Sequence, residues 1–358
     1  MLDQAGLVLS GERAAGKAGR STQAVRLWLF AVAALIFVMV VVGGATRLTE
    51  SGLSITEWRP VTGVLPPFSE ADWRAAFDSY KRIPQYAALN PDMTLDGFKA
   101  IYAWEWGHRL LARLIGLAFI APALWFWRRG AFAGALGRQI LVATGLLALE
   151  PILGWWMVSS GLANRIEVAQ NRLALHLLIA AATFATLIYA AVGLRLPRRA
   201  LAGSGFVTSA AAFAALIFVQ LGLGALVAGL RAGFTDNTWP LMSGRWLPDG
   251  LFGSTPWPVS IVDDVTTAQF DHRFVAYLVV LLALAQAGAA WRRAPGSPLS
   301  RRAAALAALA LLQAGLGIAT LLFVVPIGLA LVHQAMALAL LGAAVAHWRA
   351  TGLERAGR

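Results

Sequence analysis

Trp104-Glu105-Trp106-Gly107-His108-Arg109 stands near the start of a long apolar run. It sets a carboxylate three residues ahead of a histidine, which puts both on one helix face, in a segment otherwise suited to lipid. Three further stretches repeat the theme: Asn171-Arg172-Leu173-Ala174-Leu175-His176, Phe270-Asp271-His272-Arg273 and Ala330-Leu331-Val332-His333. The chain has five histidines, and four of them sit in this way. The remaining sequence reads as a frame that brings these four together.

Composition supports that reading. Of 358 residues, 58% are hydrophobic and 13% charged, against about 25% charged in soluble domains. Several apolar runs pass the roughly 18 residues that mark a transmembrane helix. Eight spans are expected, near 27–46, 101–127, 139–158, 173–194, 206–230, 271–291, 303–323 and 327–348. The fold class is therefore an all-α integral membrane protein. The net charge of +12 does not call for nucleic acid, because the arginines gather in short loops where membrane topology uses them. The absence of cysteine excludes disulfides, thiolate metal sites and cysteine nucleophiles.

Arg128, Arg129 and Arg138 flank the second loop, Arg195, Arg198 and Arg199 fill the fourth, and Arg292, Arg293, Arg301 and Arg302 the sixth. With eight spans these share one side with both tails. Positive charge marks the cytoplasmic side, so both termini are expected in the cytoplasm. Residues 1–26 read as a disordered, basic cytoplasmic tail. The long outer loops, 47–100 and 231–270, carry enough Trp and Phe to be expected as caps at the membrane surface.

The two halves resemble each other. Phe37-Val-Met-Val-Val-Val-Gly43-Gly44 aligns with Phe218-Val-Gln-Leu-Gly-Leu-Gly224-Ala225, and Gly52 then falls opposite Gly233. Glu105-Trp-Gly-His108-Arg109 aligns with Gln269-Phe-Asp-His272-Arg273, Leu149-Glu150-Pro151-Ile-Leu-Gly154 with Leu312-Gln313-Ala-Gly-Leu-Gly317, and His176 with His333. Four matches in one order, with four spans each, predict two pseudo-symmetric four-helix bundles, residues 27–200 and 201–358. Equal topology sets their relating axis along the membrane normal.

Each histidine is expected within about two turns of the outer end of its helix. Two helices of a bundle that each present an imidazole at one level can ligate a planar cofactor from both faces. Heme iron accepts axial imidazoles, and a cysteine-free apolar bundle suits a b-type heme. For any single histidine the plain alternative is an interhelical hydrogen bond. Arg109 and Arg273 suit heme propionates or lipid headgroups. Glu105 has the neutral Gln269 as counterpart, which suggests one chemical site and one electron-carrying site. Glu105 could accept a proton or stabilise developing positive charge, or serve as a hydrogen-bonded partner to a neighbouring Trp or Arg. Glu150 could line the same cavity, relay protons, or satisfy backbone groups freed by Pro151. His347, beside Trp348 and Arg349, reads as a membrane-interface residue.

These motifs resemble the heme A synthase family. The resemblance is carried by Glu-x-x-His-Arg at 105–109, Gly154-Trp155-Trp156-Met157-Val158, Arg172-Leu-Ala-x-His176, Asp271-His272-Arg273 and His333-Gln334. Gly43-Gly44-Ala45-Thr46-Arg47-Leu48-Thr49-Glu50-Ser51-Gly52-Leu53-Ser54 adds to it. The match covers about residues 27–348 and looks closest to the branch shared by mitochondria and related bacteria. It implies oxidation of a methyl group of heme O to a formyl group, giving heme A for cytochrome oxidase assembly. It implies a C-terminal half holding heme b on His272 and His333, an N-terminal half receiving the substrate heme on His108 and His176, and Glu105 as catalytic carboxylate. By analogy it implies a heme O synthase and oxidase assembly factors as partners. The electron acceptor and any homo-oligomer are left open. Other bacterial members carry a loop cysteine pair that this chain lacks. Glu150 stands where the family's glutamine is expected, as at Gln313. The competing reading is a two-heme b-type membrane cytochrome exchanging electrons with quinone.

Overall fold

Among the described residues of the computed structural model, eight helices are long and apolar enough to cross a membrane, and the chain is a multi-pass membrane protein. The structure describes residues 3–194, 203–254 and 256–355. In chain order the helices are α1 (Asp3–Leu48), α2 (Glu70–Tyr80), α3 (Pro84–Leu89), α4 (Leu95–Arg128), α5 (Gly134–Ser159), α6 (Gln170–Gly193), α7 (Ser204–Gly229), α8 (Ser260–Asp263), α9 (Val265–Arg293), α10 (Pro298–Leu322) and α11 (Ile327–Arg355). All but α2, α3 and α8 are spans. Hydroxyls within them bond back to their own helix, as Thr46 does to Val42, Thr183 to Ile179 and Thr320 to Leu316. No hydroxyl at these positions is left bare in an apolar setting.

Three expectations need correction. The segment read as a disordered tail begins α1 at Asp3. Its Ala, Arg and Lys content favours helix, and it meets no proline before the span. Helix α4 starts at Leu95, where Thr94 accepts the Gly97 N–H at 3.2 Å, and α9 starts at Val265, where Asp264 accepts the Thr267 N–H at 2.6 Å. Hydropathy is blind to these capped polar first turns. His108 consequently lies deeper along its helix than His176, His272 and His333 do along theirs. The loop of Arg195, Arg198 and Arg199 lies outside the described residues.

Helices α1, α6, α7 and α11 pack at the centre, with α6 lying against its repeat counterpart α11. One apolar core runs through both halves and includes Leu29, Phe119, Leu187, Phe213 and Leu341. The outer helices differ. Helix α9 packs along α10, while α4 leans on α1 and α2 and has no comparable packing on α5. Accordingly α4 and α5 are the two least buried spans.

The repeat extends to backbone detail. Glu50 and Arg231, 181 residues apart, follow the ends of α1 and α7 and both have positive φ, 56° and 53°. Their side chains pair with each other. Arg47 likewise donates to the carbonyl of Ala228, again 181 residues away. Contacts between counterparts are what a two-fold relation between the halves produces.

The first outer loop is a folded cap. Its α2 opens with a capping box, in which Ser69 Oγ accepts the Asp72 N–H at 3.1 Å and Asp72 accepts from the Ser69 backbone at 3.2 Å. The Ser69 hydroxyl, and after it the Ser69 N–H, hold the Asp72 carboxyl below its ordinary range. Phe77, Tyr80 and Ile83 from α2 and the turn after it bury against Leu53 and Phe98. The second loop ends at Asp264, where α9 takes over, and its described residues are turns with two short 3-10 segments and α8.

Candidate heme sites

In the C-terminal half, His272 of α9 and His333 of α11 face each other. Their ring centroids are 6.5 Å apart and the planes cross at 81°. Two metal–nitrogen bonds of about 2 Å each, plus two imidazole radii of roughly 1.2 Å, span about 6.4 Å. The separation thus fits one metal ion between two axial imidazoles. Each ring rests on a glycine of a neighbouring helix. A Cβ built on Gly224 would lie 3.1 Å from His272 Cε1, and one on Gly317 would lie 2.8 Å from His333 Cε1. A glutamine amide meets each ring as well. Gln220 Nε2 lies 3.0 Å from His272 Nδ1 and donates to the His272 carbonyl at 2.9 Å. Gln313 Nε2 lies 3.1 Å from His333 Nδ1 and donates to the His333 carbonyl at 3.1 Å.

The N-terminal half repeats the glycine supports. A Cβ on Gly43 would lie 3.0 Å from His108 Nε2, and one on Gly154 would lie 3.2 Å from His176 Cε1. The polar partners change. Met39 takes the place of Gln220 in the repeat, and Glu150 takes that of Gln313. Glu150 Oε2 lies 2.7 Å from His176 Nδ1, at hydrogen-bond distance, although the ring N–H is not aimed squarely at it. This removes one reading of Glu150. Pro151 lacks an N–H, so it frees a carbonyl one turn earlier, and a carboxylate, itself an acceptor, cannot satisfy a carbonyl.

Glu105 is 3% exposed and ties α4 to the outer loop. Its Oε2 accepts from Ser54 Oγ and from the Ile55 N–H, both at 2.8 Å. Its Oε1 accepts from Arg109 at 2.5 and 3.1 Å. Arg109 also donates to the carbonyls of Ile55 at 2.8 Å and Glu57 at 3.0 Å. The C-terminal half contains the same clamp. Arg273 donates to Gln269 Oε1 at 2.8 Å and to the carbonyls of Asp236 at 2.7 Å and Thr238 at 2.8 Å. The difference lies in direction. Gln269 Nε2 donates to the Ala232 and Thr235 carbonyls at 2.6 and 3.1 Å, where Glu105 only accepts.

A profile of the family described as cytochrome oxidase assembly protein matches residues 26–345. A relative named heme A synthase from Beijerinckia indica subsp. indica is 50% identical over 346 residues, covering 95% of this chain and 96% of the relative. Others of that name, from Rhodopseudomonas palustris strain BisA53 and Methylobacterium sp. strain 4-46, are 52% and 51% identical over 90% and 94% of this chain, and 90% and 95% of theirs. The chain belongs to the heme A synthase family. A heme-related cofactor comes with that membership.

The structure brings the sequence candidates into two groups, Glu105, His108, Arg109, Glu150 and His176 in one half and His272, Arg273 and His333 in the other. Arg109 and Arg273, which suit propionates or lipid headgroups in the sequence, have most of their donors engaged with backbone carbonyls, while Arg273 Nε is buried without a partner. His347 is buried, at 4% exposure, because the helix runs on to Arg355 and turns this position toward the core. Residues absent from the sequence list of candidates are Gln220 and the four glycines. Their signal was present as glycines in repeat register with each histidine, since such a position lacks a Cβ where a ring must come close.

Proposed function

We propose that this protein converts heme O to heme A by stepwise oxidation of one porphyrin methyl group to a formyl group, as a membrane oxidoreductase in cytochrome oxidase assembly. The observation that carries the reading is the pair of histidine sites on one repeated frame, with carboxylates in one half and amides in the other. The relatives named heme A synthase support the same activity.

In this reading residues 27–200 form the substrate half and 201–358 the heme b half. His272 and His333 hold heme b. Bound there, it would supply a one-electron carrier. The residues present fit it, through the 6.5 Å imidazole spacing, the glycines beneath each ring and the unpartnered Arg273 Nε available to a propionate. His108 and His176 hold the heme O substrate, and Glu105, one helical turn before His108, is the catalytic carboxylate. Ser54, Ile55 and Arg109 fix that carboxylate, so its orientation is set before substrate arrives. The protein resides in the bacterial inner membrane with both termini cytoplasmic, and it works beside a heme O synthase and oxidase assembly factors.

The test is extraction and chromatography of the non-covalent hemes from cells supplied with heme O. Wild type should yield heme A or its alcohol precursor, and Glu105→Ala should yield neither. Removing Glu105 also strands the Arg109 and Ile55 donors, so Glu105→Gln is run beside it to keep an acceptor in place. Unmodified heme from wild type would return the chain to the two-heme cytochrome reading.

A further inference from the structure

Glu150 and Gln313 hold one repeat position, but they meet the histidine of the next helix differently: Glu150 Oε2 lies 2.7 Å from His176 Nδ1, while Gln313 Nε2 lies over the His333 ring, 3.1 Å from Nδ1 and 3.5 Å from Nε2. Gln220 lies over the His272 ring as Gln313 does over His333, 3.0 Å from Nδ1 and 3.4 Å from Nε2. Of these three partners Glu150 alone is a carboxylate. Its second oxygen, Oε1, and His176 Nδ1 are both buried without a hydrogen bond, which leaves the 2.7 Å approach of Oε2 to Nδ1 as the contact available to each. An ionised carboxylate can only accept. It therefore requires the His176 proton on Nδ1 and leaves the Nε2 lone pair for a metal. Alignment of the N–H with Oε2 requires rotation about χ2, a soft torsion in histidine.

We infer that Glu150 is the positioning residue of the substrate half. It accepts the Nδ1 proton of His176, fixes the tautomer, and makes Nε2 a stronger donor to the substrate iron than the amide-faced histidines are to theirs. This rests on the reading of His176 as a substrate-heme ligand. A carboxylate behind a ligating histidine raises its basicity and favours the more oxidised iron. The substrate heme then lies at lower potential than heme b, and electrons leaving it run toward the amide-faced half.

The experiment is an equilibrium redox titration of the purified protein carrying both hemes, followed by visible absorbance. Glu150→Gln copies the other half and should raise the potential of the substrate heme alone. Gln313→Glu should lower that of heme b alone. Unchanged potentials in Glu150→Gln, with two hemes still bound, would overturn the inference. If Glu150→Gln loses the substrate heme, Glu150→Asp decides. Recovery of the heme at its low potential supports the role of the carboxylate, and no recovery counts against it. A wild-type chain that binds a single heme, indifferent to His108→Ala and His176→Ala, would instead be a failure of the substrate-half reading, and the heme count tells the two apart.

Discussion

The two halves share their frame and differ in what touches the rings. Each histidine rests on a glycine, each Arg clamp grips the loop after its first helix, and counterpart residues Glu50 and Arg231 leave their helices with the same backbone turn. At two matched positions the N-terminal half has a carboxylate where the C-terminal half has an amide: Glu105 against Gln269, and Glu150 against Gln313. The frame therefore sets where the imidazoles are, and a few polar atoms set what the bound groups do. A second difference concerns access, because α9 closes on α10 while α4 and α5 stand apart.

Histidine substitutions should have the largest effects. His272→Ala or His333→Ala should remove the resident heme, read as loss of its absorbance in the purified protein, and heme A formation should stop with it. His108→Ala or His176→Ala should stop heme A formation with the resident heme retained. Heme stoichiometry checks both; equal loss in all four would erase the distinction between halves. Next come the exchanges at the clamp. Glu105→Gln should slow heme A formation about 10²–10⁴-fold, the usual weight of a positioned acid or base. Gln269→Glu should act on stability instead, costing about 1–3 kcal/mol, because a carboxylate would then face the Ala232 and Thr235 carbonyls. Thermal denaturation in detergent separates the two effects.

Glycine substitutions probe the packing beneath the rings. Gly317→Ala places a Cβ 2.8 Å from His333, and Gly154→Ala places one 3.2 Å from His176. Overpacking of this kind costs about 1–3 kcal/mol. The first should shift the resident heme spectrum and lower the melting temperature more than the second does. The smallest effect is expected from Arg231→Ala. Its ion pairs to Glu50 and Glu167 are partly exposed, so their loss should cost no more than about 1 kcal/mol, measured in the same melts.

Much of this was legible in the sequence, for physical reasons that differ by feature. The spans are fixed by length and hydropathy, the repeat by glycines and histidines that keep one order, and the family by motifs around them. The first turns of α4 and α9 were missed because Thr94 and Asp264 cap polar segments that hydropathy excludes. The cap helices α2 and α3 were hidden in a mixed-charge loop, although Ser69-x-x-Asp72 and Pro84 are helix-start signals. That Glu105 would be held by Ser54 and Ile55, some fifty residues away, could not follow from spacing. It depends on the loop folding back over α4. Glu150 was noticed for its charge, and its contact with His176 needed the packing of α5 on α6.

Glu50 and Arg231 occupy one repeat position and face each other. In an assembly of two identical halves, whatever stands at such a self-facing position must meet its own copy, so acid would face acid or base would face base. An oppositely charged pair there requires two halves that differ in sequence at this position, as these do. The contact therefore discriminates between arrangements as well as adding a little stability. It favours an N-terminal half beside a C-terminal half and penalises either half beside its own kind, which steers the folding chain to a one-to-one pairing within itself.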